Sequence, residues 1–155
     1  YPCDMAPYGY QWFSLCGWSQ ESLLRGADEA APLLHAFVNE QLKRFVLPES
    51  KLAWVGFSQG TMMALNVALK RVQPCAAVVG FSGALVVSDI ISKPPVCLIH
   101  GDTDTVVPFQ AMATAETVLK SAGVPVETHR RFGLGHGIDP QGLDIAGAFL
   151  KATLA

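Results

Sequence analysis

Charge is scarce in this sequence, and basic residues are not in excess. Only 15% of its 155 residues are Asp, Glu, Lys or Arg, whereas half are hydrophobic. This balance excludes an intrinsically disordered chain, which carries much charge and few apolar side chains. The formal net charge is -2 and no run of basic residues occurs, so no nucleic-acid partner is expected.

Long apolar runs and metal-binding cysteine patterns are also missing. The longest apolar stretches, such as residues 75–81, have strand length and fall far short of the ~20 residues of a membrane helix. No integral membrane contact is therefore expected. The cysteines Cys3, Cys16, Cys75 and Cys97 show neither CxxC nor Cys/His ligand spacing. They predict a reduced, cytoplasmic protein, with a Cys3–Cys16 disulfide as the alternative. No metal and no organic cofactor are expected, since zinc-helix and phosphate-loop patterns are absent too.

Strand and helix patterns alternate along the chain in the order typical of a parallel α/β domain. The length fits one such domain, and the continuous apolar strands indicate a sheet that is covered on both faces. Residues 1–20 are predicted to form a long loop, and Pro32 is expected in the first turn of the first helix. The predicted strands are residues 51–56, 76–81, 96–100 and 126–132, and the predicted helices are about residues 28–46, 61–71, 109–121 and 141–150.

The segment 56–60, GFSQG, lies where a predicted strand meets a predicted helix. In that context G-x-S-x-G is typical of a sharp turn that presents a nucleophilic serine, here Ser58. Both glycines are expected to permit the turn, and the backbone N–H of Gln59 would point at the developing oxyanion. The alternative is an ordinary joint in which Ser58 caps the helix. A second serine, Ser82, also follows a strand but lacks the elbow spacing, and is interpreted as a loop residue near the site.

A serine nucleophile needs a histidine base and an acid, and in this type of turn the chain order is serine, acid, histidine. Of the four histidines, only His136 satisfies both this order and a loop location, among the glycines at 133, 135 and 137. His35 precedes the serine in a helix, His100 ends a strand ahead of the acidic loop, and His129 lies within a strand. His136 is therefore the predicted base.

The acid is expected in the segment 100–108, HGDTDTVVP, which leaves the end of a strand. Asp102 directly follows a glycine, where it could form an Asx turn, and Asp104 lies deeper in the loop. Their positions alone do not decide between them. Asp89, after the second strand, is a weaker third option.

Together these segments resemble the phospholipase/carboxylesterase family of α/β-hydrolases, which includes acyl-protein thioesterases. The resemblance covers nearly the whole chain and implies an α/β-hydrolase fold, with a mainly parallel sheet and helices on both faces. It rests on five segments in one order: 11–15 (QWFSL), 56–60 (GFSQG), 81–83 (FSG), 100–108 (HGDTDTVVP) and 135–137 (GHG).

The resemblance also implies roles for individual residues. Ser58 would be the nucleophile, Asp104 the acid and His136 the base. The loop that holds Trp12 and Phe13 would wall the acyl pocket; plain packing beneath a long loop is the alternative for these two side chains.

One part of the family pattern has no match in this chain. Members of the family begin with further strands and a loop that donates the second oxyanion N–H. By resemblance, roughly sixty residues are absent ahead of Tyr1, given where that loop should lie. Residues 1–155 would then be one domain that corresponds to the C-terminal two thirds to three quarters of the family's domain, without its N-terminal strands. An exposed sheet edge of this kind favours association, such as a homodimer.

The expected function is hydrolysis of a small-molecule carboxylic ester, or a thioester, through an acyl-enzyme intermediate. Two alternatives stay open. One is a catalytically incomplete binding module or fragment on the same scaffold, which the missing oxyanion loop favours. The other is a related hydrolase of lactones or peptides, because pocket shape rather than the triad selects the leaving group.

Overall fold

Four parallel strands form the centre of the molecule in the computed structural model, which describes residues 2–3, 6–15 and 19–155. They pair in the order in which they occur along the chain, without register shifts. The elements are β1 (Pro2–Cys3), β2 (Ala6–Tyr10), α1 (Gln20–Phe45), a short 3-10 helix (Glu49–Lys51), β3 (Ala53–Phe57), α2 (Gln59–Lys70), β4 (Ala77–Phe81), β5 (Val96–Gly101), α3 (Gln110–Ser121), β6 (Val126–Arg131) and α4 (Pro140–Leu154).

Both faces of the sheet are covered, as the continuous apolar strands predict. Side chains of β4 and β5 alternate between two apolar clusters because successive residues of a strand point to opposite faces. Val78 and Leu98 belong to the larger cluster, which α1, α2 and α3 cover. Val79 and Ile99 belong to the smaller cluster, which packs against α4. The central strands β4 and β5 are therefore buried from end to end, and they form a rigid platform for the loops that leave them.

The first forty residues differ from the prediction in two ways. Residues 1–20 are not a plain loop, since β1 and β2 form an antiparallel pair. Helix α1 begins at Gln20, where Ser19 and Ser22 form reciprocal capping hydrogen bonds, so Pro32 lies in the helix interior and not in its first turn. A proline there removes one helical hydrogen bond; Pro32 is on the exposed side of α1, where water can satisfy the freed carbonyl. Within the described residues, no helix combines the length and apolar character that a bilayer crossing requires.

The direction of the strands determines where polar side chains gather. Because β3 to β6 are parallel, their carboxyl ends meet at one edge of the sheet, the edge at which parallel α/β folds bind ligands. Ser58 follows β3, Ser82 follows β4, Asp104 follows β5 and His136 follows β6. The fold thus gathers the predicted site residues from positions up to 78 residues apart in sequence (136 minus 58).

The turn between β3 and α2 depends on the absence of a side chain at Gly56. A Cβ placed there would lie 2.5 Å from the carbonyl group of Gly60 and from the backbone N of Thr61. Gly60 itself has nothing within 4 Å of an added Cβ. Both glycines were expected to permit the turn by keeping side chains out of it. This is correct for Gly56, where a side chain would meet the start of α2, and wrong for Gly60, where the space is open.

Replacing Gly56 with Ala is expected to lower the free energy of unfolding by about 1–3 kcal/mol, because backbone atoms would have to shift to admit the methyl group. Gly147→Ala is the matched control: position 147 is inside α4 and nothing lies within 4 Å of the added Cβ. There the substitution should stabilise the protein by about 0.5–1 kcal/mol through helix propensity. Urea denaturation of the two variants tests this, and equal stabilities would contradict the close approach at Gly56.

Candidate active site

Ser58 occupies the single residue between the end of β3 and the start of α2. Its backbone has φ 53° and ψ -118°, a left-handed conformation that costs a residue with a side chain about 1–3 kcal/mol. The backbone is held in place from both sides: the Ser58 N–H donates to the carbonyl of Phe81 at 2.9 Å, and its own carbonyl accepts from Thr61 N at 3.0 Å. The Ser58 hydroxyl makes no capping hydrogen bond to α2. The observed geometry therefore favours a presented hydroxyl over the capping alternative.

Asp104 and His136 form the most direct contact in the site. His136 Nδ1 lies 2.8 Å from Asp104 Oδ2, while Asp104 Oδ1 accepts the backbone N–H groups of Val106 at 2.8 Å and Val107 at 2.9 Å. Burial alone would raise the pKa of Asp104, but the hydrogen bonds from His136, Val107 and Val106 lower it below the ordinary value. Asp104 is thus a buried carboxylate that is oriented to receive one imidazole nitrogen.

The other acid candidates have different surroundings. Asp102 is bonded to Arg130 and to the backbone of Gly133 instead of to a histidine. Asp89 is exposed in the segment between β4 and β5. The structure therefore places Asp104 alone, of the three aspartates considered, against His136.

His136 is also next to the serine turn, although the two side chains are not hydrogen-bonded. Within the described residues, no hydrogen bond joins the Ser58 hydroxyl to His136. The ring of Phe57, the residue before Ser58, lies 4.8 Å from the imidazole of His136, centroid to centroid. Hydrogen bonds between a nucleophile and its base are often loose in ligand-free enzymes and tighten with substrate. The arrangement brings His136 and Asp104 into contact and leaves the turn of Ser58 adjacent to them.

The remaining histidines have structural partners, as expected from their sequence positions. His35 is exposed on α1 beside Asn39, and His129 pairs with Glu127 at 3.0 Å on β6. His100 is buried, with Nε2 2.9 Å from the carbonyl oxygen of Val107 and 3.3 Å from Asp104 Oδ2. A carbonyl oxygen can only accept, so His100 Nε2 carries a proton and also faces the carboxylate. Sequence reasoning missed this second imidazole on the acid.

The side chain of Gln59 ties the predicted pocket loop to the nucleophile turn, which sequence reasoning also missed. Its Oε1 accepts the Trp12 N–H at 2.8 Å, and its Nε2 donates to the Phe13 carbonyl at 2.8 Å. One amide thus satisfies a donor and an acceptor of neighbouring residues. The backbone N–H of Gln59 is the first of α2, where such groups have no acceptor within the helix, which is the arrangement expected of an oxyanion donor.

The two aromatic side chains of that loop have different surroundings. Phe13 is 6% exposed and packs so closely on α1 that a Cβ at Gly26 would come within 2.8 Å of it. Trp12 is only partly buried. Both line an open cleft of about 540 Å³ between the loop and α1. Core packing therefore explains the position of Phe13, whereas part of the Trp12 side chain stays exposed, where a substrate could reach it. Met62 and Met63, early in α2, are both buried in the core.

Cysteine chemistry is separate from this site. Burial raises the pKa of the Cys75 thiol to about 11 and that of Cys97 to about 12, so both stay protonated at neutral pH. Among the described residues, Cys97, Glu127 and His129 bring three potential metal-ligand atoms within 4.8 Å of one another, on β5 and β6. The Cys97 thiol would have to lose its proton to bind a metal, since the thiolate is the ligand form. Cys16 lies outside the described residues, so the Cys3–Cys16 alternative stays a prediction.

Comparisons with known proteins agree on one family. The model of the Phospholipase/Carboxylesterase family matches residues 2–154. The solved structure of esterase PE8 has 40% identity and a TM-score of 0.94, over 99% of this chain and 75% of that one. Acyl-protein thioesterase 1 of Eremothecium gossypii is 34% identical over 92% of this chain and 65% of its own. Esterase YpfH of Escherichia coli is 29% identical over 96% of this chain and 65% of its own.

These comparisons confirm the predicted α/β-hydrolase fold class, with its parallel sheet between helices. The chain spans about two thirds of the length of the two curated relatives named above.

The two hydrogen bonds between the Gln59 side chain and the backbone of Trp12 and Phe13, here called the Gln59 bridge, should hold the pocket loop in place. In Gln59→Ala the Trp12 amide loses its acceptor, so its hydrogen exchange should accelerate by roughly fivefold, the equivalent of about 1 kcal/mol. In Gln59→Glu the acceptor persists and the Trp12 amide should stay largely protected. Gln110→Ala, at an exposed position of α3, is the control. Unchanged Trp12 exchange in Gln59→Ala would show that the bridge does not hold the loop.

Proposed function

The chain belongs to the phospholipase/carboxylesterase family, and we propose that it is a serine hydrolase that cleaves carboxylic esters, including thioesters. One observation carries the proposal. A serine in a left-handed turn between strand and helix lies at the same sheet edge as a histidine whose Nδ1 is 2.8 Å from a buried aspartate. A structural joint needs neither the strained serine nor the charged partner for the imidazole.

The proposed reaction follows from which nitrogen of His136 is already hydrogen-bonded to Asp104. Since Asp104 occupies Nδ1 of His136, the proton of the neutral imidazole sits on Nδ1 and Nε2 is left to accept the proton of the Ser58 hydroxyl. The serine oxygen then attacks the carbonyl carbon, and the histidine passes the proton to the leaving alcohol or thiol. Water repeats the cycle on the acyl-enzyme and releases the acid. Throughout, Asp104 fixes the tautomer and stabilises the imidazolium.

Charge that develops on the carbonyl oxygen needs donors at the same place. The backbone N–H of Gln59 is one, and it is reinforced by the positive end of α2, which begins at that residue. The family pattern takes a second donor from a loop with no match in this sequence. A binding module on the same scaffold, which would bind an ester without cleaving it, is the competing proposal.

The substrate class rests on the relatives and on the cleft. The relatives are named acyl-protein thioesterase and esterase, which supports cleavage of an ester or thioester bond over a peptide bond. Trp12 and Phe13 contribute aromatic surface to the cleft between their loop and α1, and the side chain of Gln59 is hydrogen-bonded to the backbone of both residues. An apolar acyl chain would gain from contact with that surface at about 25 cal/mol per Å² removed from water.

Ser58→Ala should reduce hydrolysis of a p-nitrophenyl ester series, and labelling by a fluorophosphonate probe, to background. Asp104→Asn should lower kcat by about 10³- to 10⁴-fold, because the wrong imidazole tautomer is then favoured. Ser121→Ala, at an exposed serine of α3, is the matched control and should behave as the original protein. The probe adduct should map to Ser58 and not to Ser82.

Two results would reject this proposal. Undiminished ester turnover in Ser58→Ala would exclude Ser58 as the nucleophile. Ester binding by the original protein, without turnover and without a probe adduct, would instead support the binding module.

A further inference from the structure

We propose that Asp102 and Arg130 are a positioning pair that holds the loop of His136 in register with Asp104; this inference rests on the proposed function. The two aspartates of the segment 100–108 would then have different roles. Asp104 contacts the imidazole itself, whereas Asp102 fixes the backbone from which the imidazole projects.

The loop of His136 has little rigidity of its own. It connects β6 to α4, and Gly133, Gly135 and Gly137 alternate through it. Glycine loses more conformational freedom on ordering than any other residue, and it offers no side chain to pack. Gly133 has φ +68°, a conformation that also suits glycine best. Contacts from outside the loop must therefore fix its conformation.

Asp102 supplies the first of those contacts with both carboxylate oxygens. Its Oδ1 accepts the backbone N–H of Gly133 at 2.7 Å. Its Oδ2 accepts Arg130 Nε at 2.9 Å and Arg130 Nη2 at 2.7 Å. One carboxylate thus joins the end of β6 to the first glycine of the loop, three residues before His136. The hydrogen bonds from Arg130 lower the pKa of Asp102, so it is charged at neutral pH.

The backbone around Asp102 docks on the same loop. The Asp102 N–H donates to the carbonyl of Arg131 at 3.0 Å, and the Thr103 N–H donates to that of Leu134 at 3.1 Å. Gly101 permits this approach, because a Cβ there would lie 2.2 Å from the Leu134 carbonyl oxygen. The loop that carries the acid and the loop that carries the base are therefore in direct contact.

Arg130 is in turn held by two aromatic rings. Its guanidinium carbon lies 4.5 Å from the ring centroid of Phe132 and 5.5 Å from that of Phe109. Both distances are within the range of cation–π attraction, which helps to keep the guanidinium where it donates two hydrogen bonds to Asp102 Oδ2. The pair is partly open to solvent, with Arg130 half exposed and Asp102 11% exposed, so its effect is expected on geometry more than on global stability.

The far end of the loop is anchored separately. Arg131, the next residue of β6, binds Asp139 at 2.8 Å, and Asp139 also accepts the Gly142 N–H at the start of α4. The Ser82 hydroxyl lies 3.4 Å from the carbonyl oxygen of Gly137 and completes this anchor. Loss of the Asp102 side chain removes its bonds to Gly133 and Arg130 and keeps the backbone bonds, so it should loosen the near end of the loop and leave α4 in place.

The test compares Asp102→Ala, Asp102→Asn and Arg130→Gln with the control Lys120→Gln, which breaks an exposed ion pair on α3. Asp102→Ala should lower kcat for a p-nitrophenyl ester by about 10- to 100-fold, as expected for a displaced catalytic group, with KM changed less than about twofold. Asp102→Asn keeps an oxygen for the Gly133 N–H and should fall between alanine and the original. Arg130→Gln should also reduce kcat, and Lys120→Gln should leave it unchanged.

A readout that does not depend on turnover completes the design. The low-field NMR proton signal of the His136–Asp104 hydrogen bond should shift or broaden in Asp102→Ala and persist in Lys120→Gln. If Asp102→Ala keeps both the original kcat and this signal, the inference is wrong. If Asp102→Ala does not fold by circular dichroism, Arg130→Gln decides by the same two criteria. If the original protein hydrolyses no ester, the proposed function fails, and the NMR signal still decides whether Asp102 positions His136.

Discussion

The parallel alignment of four consecutive strands is the constraint on which the rest of this structure depends. Each crossover returns the chain to the same end of the sheet, so every strand delivers its next loop to one edge. If one of these strands ran the other way, its loop would leave from the opposite edge. The carboxyl ends of β3 and β6 lie on either side of two fully buried strands. Three strand spacings, about 14 Å, separate these two strands, so the loop after β6 must reach back along the sheet edge to bring the His136 ring to 4.8 Å from that of Phe57.

Rigid packing under the serine turn explains how its backbone strain can persist. Residues 61–69 of α2 are buried without interruption, so the helix that follows Ser58 has no freedom to unwind and relieve the turn. The Thr61 hydroxyl donates to the Phe81 carbonyl at 2.8 Å, the same carbonyl that accepts the Ser58 N–H. A strained residue needs surroundings that over-determine its conformation, and here a buried helix and a neighbouring strand provide them.

Sequence patterns predicted the strands, the helices after Pro48 and the serine and histidine candidates, because each depends on local signals. The apolar runs and the glycine spacing around Ser58 are of this kind. The start of α1 was misplaced because Pro32 was interpreted as a first-turn residue, whereas capping by Ser19 starts the helix earlier. The contacts of the Gln59 side chain were not predictable from sequence, since its partners are backbone atoms 46 and 47 residues away. The contact of His100 with Asp104 was not predictable either, because it forms only when the loop between them is folded. Likewise, spacing could not separate Asp102 from Asp104.

The two aspartates differ in the groups that face their carboxylates, and that difference decides which of them is available to His136. Both carboxyls have lowered pKa values, so two negative charges lie two residues apart at neutral pH. A free carboxylate at Asp102 would compete with Asp104 for any positive charge that forms on the imidazole. Arg130 neutralises Asp102, and two hydrogen bonds to Asp102 Oδ2 hold its guanidinium there. With Asp102 paired to Arg130, Asp104 is the carboxylate that holds His136 Nδ1, and it shares that oxygen with His100 Nε2 at 3.3 Å.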